Sequence, residues 1–73
     1  MNQTLDTRGK LCPMPIVLLA RKARDLTHGE SLTILADDRA FPPDLRAWCK
    51  KTGHELTALQ DKGGFFEAEI KSP

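Results

Sequence analysis

The residues whose types and spacing point to chemistry are Cys12-Pro13-Met14-Pro15. They fall where an alternating segment gives way to a helical one. The pattern places Cys12 at the helix N-cap, Pro13 at N1 and Pro15 at N3. Prolines are tolerated there because first-turn amides have no intrahelical partner, and they stiffen the backbone around Met14. A sulfur at the positive end of a helix dipole is expected to have a lowered pKa and to favour the thiolate, the form that attacks sulfur electrophiles. Arg8 and Lys10 on the preceding loop would add to that field. Arg21 and Lys22 would not, since nine and ten residues of helix carry them about 14 Å along its axis. No second cysteine lies two residues away, and neither His28 nor His54 is a local base, so the dithiol arrangement of redox enzymes is absent. A lone, rigid, activated thiol suits a group carrier. A persulfide there would be anionic near neutral pH and would benefit from the same helix end. The residues alone leave open the plainer alternative, a small helix-start residue flanked by prolines.

The remaining candidates read more simply. Cys49 follows Trp48 on an apolar helical stripe and is expected to be a buried small hydrophobe. A redox switch using Cys12 and Cys49 is the competing function, and it needs their Cα atoms within about 7 Å. Two cysteines and two histidines scattered singly lack the close cysteine pair of a structural zinc site, so no metal is expected. His28 is expected to act as a helix C-terminal cation or polar cap, and His54 as the polar start of a strand. Asp37 and Asp38 read as a solvated turn that also caps the segment after it.

The elements that must position Cys12 come from a short chain. Seventy-three residues allow one small domain spanning 1–73, with a thin core. Two cysteines exclude a disulfide scaffold, so regular elements must carry the fold. The longest apolar run, Ile16 to Ala20, is five residues, far below the ~20 needed to cross a bilayer. Met1-Asn2-Gln3-Thr4 shows no signal-peptide pattern, and a soluble cytoplasmic protein is expected. The net charge of +1 conceals +4 over residues 1–24 and −3 over 25–73. That balance argues against general nucleic-acid binding yet permits a positive patch on the first third. Thr4 to Thr7 alternates as a strand, and a helix from Pro13 carries Ile16, Leu19, Ala20, Ala23 and Leu26 on one face, ending at His28-Gly29. Leu32 to Ala36 is a central strand. Pro42, Pro43 and Asp44 open a second helix with Phe41, Leu45, Trp48 and Cys49 as its stripe, stopped by Gly53. His54 to Leu59 and Phe65 to Lys71 form a hairpin through Asp61-Lys62-Gly63-Gly64. Phe66, Ala68 and Ile70 share one face of the last strand, and Phe65 reads as a lone exposed aromatic on the other. Two helices on one face of a four-stranded mixed sheet satisfy every apolar stripe: an α/β two-layer sandwich, β-α-β-α-β-β.

Leu5-Asp6-Thr7-Arg8-Gly9 followed by Cys12-Pro13-Met14-Pro15 resembles the signature of the TusA-type (SirA-like) sulfur-carrier family. The likeness continues through Gly29-Glu30-Ser31-Leu32, Ala36-Asp37-Asp38, Asp44-Leu45, Trp48-Cys49, Gly53-His54 and the strand Phe66 to Lys71, nearly the whole chain. The resemblance implies the sandwich just described. It also implies that Cys12 accepts sulfur as a persulfide, with no other cofactor, and passes it on. Pro13, Met14, Pro15, Arg8 and Lys10 are its expected supports. Implied donors are a cysteine desulfurase or a rhodanese-type sulfurtransferase. The implied acceptors are relay proteins of tRNA thiolation, molybdenum-cofactor synthesis or sulfur oxidation, with no membrane or direct nucleic-acid partner. Such a protein is a regenerated stoichiometric intermediate rather than a turnover enzyme. Met14 stands where tRNA-thiolation members carry an acid, and Arg39 where many relatives have proline. The resemblance thus implies the carrier role without choosing a pathway. The same sandwich also resembles the C-terminal domain of a translation initiation factor, but Glu67 and Glu69 beside Phe65 oppose a nucleic-acid face.

Overall fold

Alternation in Gln3–Asp6 forms β1, and the helical spacing after Cys12 forms α1, Met14–Ala23. β2 is Ser31–Ala36, α2 is Phe41–Thr52, β3 is Glu55–Asp61 and β4 is Phe66–Lys71. The computed structural model describes residues 3–73; Met1 and Asn2, which entered the reading of the N-terminus, lie outside them. The four strands make one mixed sheet in the order β1-β2-β4-β3. β1 runs parallel to β2, whereas β4 is antiparallel to both β2 and β3. Both helices pack on one face, as their single apolar stripes require. Among the described residues no helix is long and apolar enough to cross a membrane.

The core is where those stripes meet the sheet. Leu32 and Ile34 of β2 sit opposite Ile70 and Ala68 of β4, and all four are buried. Leu19 of α1 and Phe41, Leu45 and Cys49 of α2 close over them. Each large aliphatic or aromatic side chain in this set contributes about 1.5–3 kcal/mol by leaving water. β3 solves a spacing problem. Leu56 and Leu59 both pack against the core although three positions apart, which strict alternation forbids. A bulge between Leu56 and Ala58 absorbs the extra residue, Thr57, and lets Leu56 face Ile70 while Leu59 faces Ala68. The Thr57 hydroxyl donates to Glu69 O and Glu69 Oε1, at 3.1 and 2.8 Å.

One helix boundary differs from expectation. α1 ends at Ala23, not at His28-Gly29. Its last amides tighten to three-residue spacing, Asp25 N to Lys22 O and Leu26 N to Ala23 O, and the chain leaves the helix axis there. Leu26 still reaches the core from this turn. Gly29, with φ +82°, serves the turn into β2 rather than the helix cap. His28 therefore caps nothing; its ring meets the Pro73 carbonyl. α2 matches expectation, with Gly53 in the left-handed conformation donating to Cys49 O.

Candidate functional site

Parallel pairing of β1 and β2 brings the ends of both strands to the same edge of the sheet. The loops beyond them, residues 7–13 and 37–40, are neighbours there, and each leads into a helix N-terminus. Thr7 anchors the first loop. It is fully buried, and both its amide and its hydroxyl donate to Leu35 O at 2.7 Å. Gly9, with φ +84°, turns the chain and donates its amide to both carboxylate oxygens of Asp37, at 3.0 and 3.1 Å. The Cys12 amide donates to Asp38 Oδ2 at 2.8 Å, and Met14 N to Leu11 O at 2.8 Å. The loop carrying the sulfur is thus fixed through its backbone, largely by two aspartates from the neighbouring strand's end. Asp37 and Asp38 are more than a solvated turn.

Cys12 is exposed, as a reacting thiol must be. Its position in the helix start differs from expectation. Pro13 is the N-cap and Pro15 the second helical residue, so Cys12 stands one place outside. The Cys12–Pro13 peptide is cis. Pro15 is buried and seats the first turn against the body of the protein. Leu11 and Met14, on either side of the sulfur, are the exposed large hydrophobic residues among those described, at 74% and 40% exposure.

The electrostatics reverse the expected direction. Cys12 Sγ lies 3.3 Å from Asp44 Oδ2, in the first turn of α2, and donates its S–H to it. That hydrogen bond, followed by local desolvation and the charges of Asp44 and Asp38, pushes the Cys12 thiol above the ordinary cysteine value. A helix N-terminus does favour the anion, but a carboxylate in direct contact outweighs it. Arg8 does not supply the expected field. Its guanidinium donates to both oxygens of Asp6, at 3.0 and 2.8 Å, and lies over the Phe65 ring at 4.9 Å from the centroid. Phe65 is accordingly half-buried, not a lone exposed aromatic. Lys10 is exposed on the loop, with its amide donating to Thr7 O.

Asp38, Asp44 and Leu11 are residues that the sequence reading does not bring to the site of Cys12. Their signal exists only through topology: once β1 and β2 are parallel neighbours, residues just after each strand must meet. Cys49 is buried among core residues, and burial pushes its thiol upward. Both cysteines are free. His54 stacks on Trp48 at 4.6 Å between centroids, and burial lowers its pKa. Among the described residues no group of His, Cys, Asp and Glu is arranged to hold a metal ion.

The comparisons with known proteins agree with this architecture. Over 70 residues the chain is 39% identical to YrkI of Bacillus subtilis, covering 96% of this chain and 93% of that one. It is 37% identical over 70 residues to NMA0882 of Neisseria meningitidis, covering 96% and 95%. It is also 46% identical over 59 residues to YrkF of Bacillus subtilis, but that match covers 81% of this chain and only about a third, 32%, of YrkF. All three carry the name "Putative sulfur carrier protein". The crystal structure of a SirA-like protein from Desulfitobacterium hafniense shares the fold, with a TM-score of 0.81 at 24% identity over 94% of this chain and 95% of that one. The family described as "Sulfurtransferase TusA" matches residues 3–72, and the chain belongs to that family.

Proposed function

We propose that this protein carries sulfur as a persulfide on Cys12 between a donor and an acceptor protein. The observation that carries the reading is an exposed thiol on a backbone-fixed loop, flanked by the exposed apolar side chains of Leu11 and Met14. The fixed loop presents the sulfur in one place, and the flanking pair offers a docking surface for a protein's own sulfur-bearing cysteine. In the loading step Cys12 Sγ attacks the terminal sulfur of the donor's persulfide. A new S–S bond forms, the donor's S–S bond breaks, and the donor cysteine leaves as a thiol with the proton Cys12 gives up. Discharge repeats the exchange on the acceptor, with no net oxidation. A cysteine desulfurase or a rhodanese-type enzyme is the proposed donor. A relay protein of tRNA thiolation, molybdenum-cofactor synthesis or sulfur oxidation is the proposed acceptor, in the cytoplasm.

Intact-protein mass spectrometry after incubation with a cysteine desulfurase and cysteine, and separately with a thiosulfate-loaded rhodanese, tests the reading. The expected result is a gain of one or more sulfur atoms, reversed by a thiol reductant, present in Cys49→Ser and lost in Cys12→Ser. Loading on Cys49 alone, or no loading from either donor, would overturn it.

A further inference from the structure

An exposed nucleophilic sulfur is here met by acid rather than base. Cys12 donates its S–H to Asp44 Oδ2 at 3.3 Å and its amide to Asp38 Oδ2 at 2.8 Å. Among the described residues the charges that bear on it are these two carboxylates, from the first turn of α2 and the loop after β2, with the α1 N-terminus beyond Pro13 and the exposed Lys10 two residues back on the loop. Arg8, on the same loop, is committed to Asp6. The two contacts do different things. Asp38 holds the backbone and would do so for any non-proline residue at position 12. Asp44 touches the reacting atom, and only a protonated sulfur has a hydrogen to give it.

We propose, resting on the carrier reading, that Asp44 is a positioning residue that keeps unloaded Cys12 as a hydrogen-bonded thiol and presses the loaded form to give its sulfur up. Coulomb repulsion supplies both halves. A thiolate beside the carboxylate is disfavoured, so the free protein rests as S–H. When sulfur arrives, the product ends in an anionic terminal sulfur with no proton for Asp44. A hydrogen bond has become a repulsion. The sulfur therefore sits on Cys12 at higher free energy than on a cysteine lacking such a neighbour. Handing it to an acceptor and taking back a proton restores the S–H to Asp44 contact. The carboxylate weakens the hold on sulfur and favours onward transfer.

The test has two arms in a Cys49→Ser background, each run with Asp44→Asn and Asp44→Glu. In the first, iodoacetamide alkylation of Cys12 is followed by intact mass from about pH 6 to 10. Asp44→Asn is expected to shift the profile to lower pH and to raise the rate near neutrality at least about threefold, without raising the alkaline plateau, since a less basic thiolate is intrinsically less nucleophilic. Asp44→Glu should stay near the parent. In the second arm each protein is equilibrated with glutathione persulfide, and Asp44→Asn should hold a larger loaded fraction. An unchanged alkylation profile overturns the proposal whether or not the protein carries sulfur, and equal loaded fractions overturn its discharge half. A shifted profile with no sulfur uptake by any of the proteins supports Asp44's hold on the thiol and overturns the carrier reading instead. Asp44→Ser, also neutral and compatible with a first helical turn, repeats the first arm should the Asn variant fold poorly.

Discussion

Arg8 reaches Asp6 through its guanidinium and through its backbone amide, the latter at 3.0 Å from Oδ1. These hydrogen bonds lower the Asp6 carboxyl to about 2. Carbon-detected NMR titration should find it there, and Arg8→Ala should return it towards the ordinary carboxylate range. The sign for stability comes from the lowered value: the contribution is present above the unfolded pKa and is lost as pH falls through about 2. Solvent exposure of the pair keeps it small. The two thiols separate by the same reasoning. Native protein should take up one alkyl group, on Cys12, and a second on Cys49 only when unfolded by denaturant, read by mass spectrometry. At this scale Cys12 is legible in the sequence because Cys-Pro-x-Pro is local. Its partners are not, because Asp38 and Asp44 lie 26 and 32 residues away and meet it only through the fold. The expected thiolate rests on the helix end and the basic loop before it, and the acid next door decides otherwise.

Helices and strands are legible where local chemistry sets them. Pro42, Pro43 and Asp44 start α2 and Gly53 stops it, as their types predict. The Gly53 position has φ +83° with open space where a Cβ would stand, so Gly53→Ala tests backbone strain alone. It should cost about 1–2 kcal/mol in urea unfolding. Leu19→Ala, in the sealed interface between α1 and the sheet, should cost about 2–5 kcal/mol by the same measurement. The end of α1 differs from the sequence reading because Leu26 continues the apolar stripe after the helix has tightened and turned. Periodicity reports which residues face the core, not whether the backbone between them is still helical. The β3 bulge is hidden for a related reason: Leu56 and Leu59 at a spacing of three fit neither a regular strand nor a long helix.

For the molecule as a whole, element order and layering come from counting apolar stripes, since two helices with one face each leave a sheet little choice. Strand order and the convergence of two strand ends on one thiol need the three-dimensional pairing. That convergence gathers the sulfur, the acids and the exposed apolar pair at one edge. Leu11→Ser with Met14→Ser should leave the urea midpoint nearly unchanged, because both side chains already face water. It should slow loading of Cys12 from a protein donor about tenfold or more, as expected for loss of about 1.4 kcal/mol or more of docking energy. Loading from glutathione persulfide should be unaffected. A time course of sulfur uptake by intact mass distinguishes these outcomes.

The extra residue in β3 bears on how these molecules behave in a crowd. β3 is an outer strand, and a regular outer strand offers a row of unpaired amides and carbonyls to any strand that drifts alongside. The bulge at Thr57 breaks that row, and the Thr57–Glu69 contact holds the break in place. At the opposite edge β1 spans four of the described residues. Removing Thr57 would leave Leu56 and Leu59 on the core side while straightening the strand. Light scattering of that deletion at high concentration should show edge-to-edge polymerisation that the parent protein resists.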